Sequence, residues 1–237
     1  MATPPVTDRA RPGTRRWLIV AALFVVNYGV STPLAAYGVF LPVLGDEFGW
    51  SRGAISAALS VNLLVGGLAG FWVGTLADRH GPRGLLTITV ALAGAAFALV
   101  SSVSALWQLF LLIGVMGGVG MSSFYLLTTA TVTHWFDERR GLGLALVLVG
   151  FNLGYITGGP LAAWLITHLG WRAAYGALGA GCGLLTACAA LGVRLPRPEE
   201  RPALHRPIPA PAGTVAATHA GATLAQSLRD PRQWALN

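Results

Sequence analysis

The sequence predicts an all-α membrane protein of six transmembrane helices arranged as a 3+3 inverted repeat. Three observations carry that expectation: too few charges for a water-facing surface, apolar blocks of membrane-spanning length, and basic residues gathered on alternate loops. Of 237 residues, 54% are hydrophobic and 11% charged. A soluble domain carries roughly 25% charged residues. The blocks are about 17 to 27 residues long, enough to cross a hydrocarbon core of roughly 30 Å at about 1.5 Å per residue. Only helices or closed barrels satisfy the backbone in lipid, and barrel strands would show short alternating segments rather than continuous runs.

In order, the blocks are Trp17 to Leu41, Ala54 to Leu76, Gly84 to Val100, Leu106 to Val132, Gly141 to Leu165 and Ala173 to Val193. The first contains Pro33, whose missing N–H is expected to open the backbone near Asn27 to Ser31. Ser51 stands where it can cap the second. Residues 1–16 read as a disordered cytoplasmic tail, 17–193 as the bundle, and 194–237 as a cytoplasmic Pro- and Ala-rich linker leading toward a seventh helix. Cys182 and Cys188 sit six apart in one apolar block and read as packing residues.

All sixteen basic residues are Arg, and fourteen fall on one side of the six-span topology. They lie in the N-terminal tail, the second loop (Arg79, Arg83), the fourth loop (Arg139, Arg140) and the C-terminal tail; only Arg52 and Arg172 lie opposite. The positive-inside rule then puts both termini in the cytoplasm, the expected site being a bacterial inner membrane. This distribution also accounts for the net charge of +7 without nucleic acid. Every acid lies outside the blocks, so no carboxylate relay sits within a span. A faint internal repeat aligns LADRHGPRGLL (76–86) with LITHLGWRAAY (165–175) at an offset of 89, setting Gly81 on Gly170 and Arg83 on Arg172. The matched loops fall on opposite faces, as inverted repeats require.

The stretch GTLADRHGPR (74–83) resembles the loop between helices two and three of the major facilitator superfamily, Gly-x-Leu-Ala-Asp-Arg-x-Gly-Arg-Arg. Gly74, Leu76, Ala77, Asp78, Arg79, Gly81 and Arg83 match, and Pro82 departs. The resemblance implies the N-terminal half of a twelve-helix fold. It also implies a conformational latch of Gly74, Asp78, Arg79, Gly81 and Arg83, with Arg139 or Arg140 in reach of Asp78. FGWSRGAISAALSV (48–61), HWFDERRGLGLAL (134–146) and GWRAAYGALG (170–179) look like the monocarboxylate porter and oxalate–formate exchanger branch. That implies transport of a small organic solute, a mono- or dicarboxylate, by alternating access. The fourth block has no Arg, unlike the superfamily's proton-coupled drug exporters.

In the superfamily helices one and four line a central cavity. The polar residues in the spans are therefore the substrate-lining candidates: Asn27, Tyr28 and Ser31, then Tyr125, Thr128 and Thr129, then Asn152 and Tyr155. Hydroxyl and amide donors can hold a carboxylate without a buried cation. Glycines recur every four residues as Gly66, Gly70 and Gly74, and as Gly150, Gly154 and Gly158. Small residues at this spacing admit a closely packed helix, either within the bundle or from a second six-helix half or another copy.

No cofactor, metal or enzymatic activity is implied. An intramembrane serine protease would need a His within a span, and all five His lie at loops, helix ends or in the tail. A membrane scaffold without transport, a half-transporter acting as a dimer, and a transporter for a drug or sugar are the alternatives. A reporter fused after Asn237 is expected in the cytoplasm and one inserted near Asp46 outside. Finding both on the same side would overturn the six-span topology.

Overall fold

The computed structural model describes residues 12–136 and 140–193, which belong to one compact unit, residues 1–205. The tail before residue 12 and the linker from residue 194 lie outside the described residues. The described residues form helices and no strand. Helix α1 is Pro12–Phe48, α2 Arg52–His80 and α3 Pro82–Leu99, followed by a 3-10 turn, Val100–Ser102. Helix α4 spans Leu106–Trp135, with a π-helical section at Phe110–Gly117. The last element, Arg140–Gly192, has 53 residues and is broken at Gly170. The stretches before and after the break, 140–169 and 171–192, are here α5 and α6. Among the described residues five elements are long and apolar enough to cross a membrane, this double one among them.

Two boundaries differ from expectation. Helix α1 begins at Pro12, inside the stretch read as tail. Proline suits a first helical position because its missing N–H has no partner there anyway. The helix also continues through Pro33 and Pro42 to Phe48. At the head of α2, Ser51 accepts a hydrogen bond from the Ala54 N–H at 3.2 Å.

Gly81 and Gly170 adopt nearly the same backbone conformation, φ 81°, ψ 156° and φ 78°, ψ 161°. Positive φ there suits a residue without Cβ. A straight 53-residue helix would be about 80 Å long, yet α5 and α6 both meet the middle of α1. A Cβ at Gly150 would fall 2.6 Å from the Phe24 carbonyl oxygen, and one at Gly29 would fall 3.3 Å from that of Cys182. The chain therefore doubles back at Gly170.

The glycines set the packing. Gly150, Gly154 and Gly158 lie in turn against Phe24, Tyr28 and Thr32, so α5 runs parallel to α1. Gly66, Gly70 and Gly74 lie in turn against Gly118, Ser122 and Leu126, so α2 runs parallel to α4. Gly94 meets Gly179 and Gly183, and Gly179 meets Ala98, so α3 and α6 are antiparallel and in backbone contact. Both four-residue ridges are thus occupied inside this chain.

Side-chain hydrogen bonds tie α4 to three neighbours. Asn27 on α1 donates to Thr128 at 3.3 Å, Asn62 on α2 donates to the Ile113 carbonyl at 2.7 Å, and Thr89 on α3 pairs with Ser123. The Asn62 amide enters α4 within its π-helical section. A side chain inserted into the i→i−4 ladder is a recognised cause of such a section.

Gly154→Leu is expected to lower thermal stability in detergent by about 1–3 kcal/mol or more, as overpacking does. Its new atoms would collide with Ser31 Oγ and the Tyr28 carbonyl. Gly67→Leu, where no atom lies within 4 Å of a new Cβ, is expected to stay within about 0.5 kcal/mol of the parent. Equal losses would contradict the seam.

Candidate functional site

The polar residues of the spans divide into two sets. Asn27, Ser31 and Thr128, expected to line a cavity, lie inside the bundle at 1%, 0% and 2% exposure. All three are hydrogen-bonded there. Asn27 Nδ2 donates to the Leu23 carbonyl at 2.8 Å as well as to Thr128, and the Ser31 hydroxyl donates to the Tyr28 carbonyl at 3.0 Å. In lipid-like surroundings an unpaired polar group costs free energy, and these contacts satisfy theirs within and between helices.

The second set stands on the open surface. Tyr125 is 59% exposed on α4 and Tyr155 45% exposed on α5, with Asn152 exposed one turn before Tyr155. Thr129 is half-buried, its hydroxyl donating to the carbonyls of Tyr125 and Leu126 in its own helix. Tyr28 is half-buried, and its hydroxyl accepts from Thr157 at 3.2 Å across the α1–α5 seam. Between the two exposed tyrosines, Phe124 and Phe151 stack with centroids 5.5 Å apart and planes 7° apart. Helices α4 and α5 thus bring Tyr125 and Tyr155 to one aromatic seam. A screen for polar residues overlooks Phe124 and Phe151, and the candidates drawn from the first, fourth and fifth spans also leave out the polar Asn62 and Thr157. For the two phenylalanines the available signal was their place beside Tyr125 and one turn before Tyr155.

The cavities lie elsewhere. An apolar groove of about 330 Å³ runs between α3 and α6, lined by Ala91, Gly94, Ala95, Ala98, Gly179 and their neighbours. It has no donor set for an anion. Among the described residues no group of His, Cys, Asp or Glu is placed to hold a metal.

At one rim of the bundle, Gly81 ends α2 with its N–H donating to the Ala77 carbonyl at 2.8 Å, and Pro82 begins α3. Arg79 and Arg83 are exposed. Gly74, the first residue of the motif, sits 3.2 Å (from its would-be Cβ) from Leu126 of α4. Arg140 Nε donates to the Phe136 carbonyl at 2.8 Å. The Asp78 side chain and Arg139 lie outside the described residues.

The opposite rim is held by one cation. Arg172, at the head of α6, donates to the carbonyls of Ser101 and Val103, both at 3.2 Å, beyond the end of α3. Its guanidinium lies 4.4 Å from the Trp171 ring centroid and 5.8 Å from that of Phe48. Glu47, near the end of α1, approaches it at 3.7 Å, both side chains about half exposed. The planar guanidinium suits this combination of forked donation and stacking.

A model of the Major Facilitator Superfamily matches residues 13–236. The chain belongs to that superfamily. It is an integral membrane protein of a transporter family and not an enzyme. It is 27% identical over 165 residues to an uncharacterized MFS-type transporter of Bacillus subtilis, covering 69% of this chain and 40% of that protein. It is 29% identical over 185 residues to monocarboxylate transporter 13 of Bos taurus, covering 77% and 43%. It is 31% identical over 160 residues to a gallate transporter of Pseudomonas putida, covering 66% and 35%. The chain spans about two-fifths of the length of these relatives.

Arg172→Ala is expected to cost about 1–2 kcal/mol in thermal unfolding, from two carbonyl hydrogen bonds and a cation–π contact. Arg172→Lys should recover little of it, and Glu47→Gln should cost under about 1 kcal/mol because the pair is solvated. A Glu47→Gln loss matching that of Arg172→Ala would assign the rim to the ion pair instead.

Proposed function

We propose that the chain is the N-terminal six-helix half of an alternating-access secondary transporter for a small organic acid, a mono- or dicarboxylate. The observation that carries this is the open face of α4 and α5. At mid-span it presents Tyr125, Asn152 and Tyr155, polar groups that hydrocarbon would not solvate and that a solute or a second half would. Monocarboxylate and gallate transporters among the relatives support an acid as the solute.

The six-span, 3+3 reading draws its support from pairs of like contacts. The parallel seam of α5 on α1 has its counterpart in α2 on α4. The turn at Gly170 repeats the backbone of Gly81 at the offset of 89 read from the sequence. Two three-helix units related in this way are what an inverted repeat requires. The Arg distribution puts the Gly81 rim in the cytoplasm. There Asp78 of the loop acts as the latch toward the second half, with Arg139 or Arg140 as its partner. Carboxylate binding is completed between the halves, so the transporter is a pair of six-helix units.

Vesicles holding this chain alone should match empty vesicles in net uptake of labelled lactate, oxalate or formate. Vesicles holding it together with a second six-helix half should show saturable uptake. In that pair Asp78→Asn should slow turnover about tenfold, a loss of about 1.4 kcal/mol in the barrier, and leave KM within about twofold, the pattern of an impaired conformational step. Saturable uptake by the lone chain would replace the half-transporter with a homodimer. Uptake of sugars or amines in preference to acids would remove the carboxylate reading, and a wild-type rate in Asp78→Asn would remove the latch.

A further inference from the structure

The seam between α4 and α5 carries four rings in series. Tyr155 leans on Phe151 with centroids 5.1 Å apart and planes at 45°. Phe151 stacks on Phe124, and Phe124 meets Tyr125 edge-on at 6.4 Å and 74°. The inner pair is half-buried and the outer tyrosines are open. Neither tyrosine hydroxyl has a hydrogen-bond partner among the described residues. One turn before Tyr155, Asn152 donates from Nδ2 to the Leu148 carbonyl at 2.8 Å, and its amide keeps a second N–H and an oxygen for another group.

The depth of these rings is as telling as their order. Tyrosines of a membrane protein gather near the headgroups, where the ring is in hydrocarbon and the hydroxyl in water. Tyr155 lies fifteen residues from Arg140, the first residue of its helix, or about 22 Å along the axis. Tyr125 is ten residues from Trp135 at the nearer end of α4, or about 15 Å. Covering these positions with lipid or a dry apolar helix would strand two phenol hydroxyls and the remaining N–H and oxygen of the Asn152 amide, which is costly. The surface therefore fits an occupant with a flat apolar face and polar groups at its edge. Ring pairs favour stacked or edge-to-face geometry because the face of a ring is negative and its edge positive. A saturated acid of the same size has neither.

We propose that the Tyr125–Phe124–Phe151–Tyr155 run seats the ring of a planar aromatic carboxylate, with Asn152 and the tyrosine hydroxyls meeting its polar edge. This rests on the reading of the chain as part of an organic-acid transporter and narrows the acid to one with a ring. The seat selects by flatness, and the countercharge for the carboxylate comes from outside the described spans, which contain no Arg at mid-depth.

The test uses the full 237-residue chain in lipid nanodiscs and ligand-observed NMR titration with benzoate, cyclohexanecarboxylate and lactate. Benzoate is expected to bind about five- to tenfold more tightly than cyclohexanecarboxylate, the size of one ring–ring contact. Tyr155→Leu and Tyr125→Leu should each weaken both acids through the lost hydroxyl and bring the benzoate-to-cyclohexanecarboxylate ratio to within about twofold of one, with an unchanged thermal unfolding midpoint reporting intact folding. Tyr155→Phe should keep the preference for the ring. Equal affinities for benzoate and cyclohexanecarboxylate in the parent chain would overturn the ring seat and leave the carboxylate reading standing. Absence of binding by all three acids would overturn the ring seat on this chain, while the carboxylate reading is decided by uptake in the vesicles that hold both halves. A preference for benzoate that survives both Leu substitutions would place the ring elsewhere and overturn the proposal.

Discussion

In lipid no hydrophobic force presses one apolar helix against another, so the bundle depends on how closely backbones can approach. Gly150, Gly154 and Gly158 let α5 settle on the carbonyls and side chains of Phe24, Tyr28 and Thr32, and Gly66, Gly70 and Gly74 do the same for α2 on α4. At Gly94 and Gly183 two helices meet with no side chain between them. Dispersion contacts are individually small and need short distances, and the glycines provide those distances. The buried hydrogen bonds of Asn27, Asn62 and Thr89 then fix how far each helix slides along its neighbour.

Closing these seams determines which residues remain for a solute. Asn27 is committed to Thr128 of α4, and Ser31 to the Tyr28 carbonyl of its own helix. The open polar and aromatic groups belong to α4 and α5 instead. The rims follow the same economy. Gly81 and Gly170 turn the chain at opposite ends in the same conformation, and the second turn is followed by Arg172, which gathers the ends of α1 and α3. In the function proposed above, a bundle held in this way is suited to rigid-body movement against a second half.

Much of this was legible in the residues. Helices follow from apolar length alone, and the cap at Ser51 and the turns at Gly81 and Pro82 follow from their local chemistry. Helix ends were less legible: α1 runs from Pro12 to Phe48, beyond its apolar block, because a helix does not stop where hydrocarbon does. The facing of each polar residue was the hardest to read. In a soluble helix polarity separates core from surface, but in lipid both are apolar, so Asn27 and Asn152 look alike in sequence. One is locked to Thr128 and the other stands exposed. The aromatic seam was hidden for the opposite reason, since Phe124 and Phe151 are indistinguishable from packing residues until α4 and α5 are brought together.

The glycine side of α5 is closed against α1 while its Asn152–Tyr155 side stands open. Single cysteines placed along residues 146–160 of a chain whose Cys182 and Cys188 are replaced by Ala test it directly, by reaction with a membrane-impermeant thiol reagent in nanodiscs. Labelling is predicted at positions 152 and 155 and protection at 150, 154 and 158. Labelling at 150, 154 and 158 with 152 and 155 silent would mean that the ridge faces outward, and would contradict both the packing and the site.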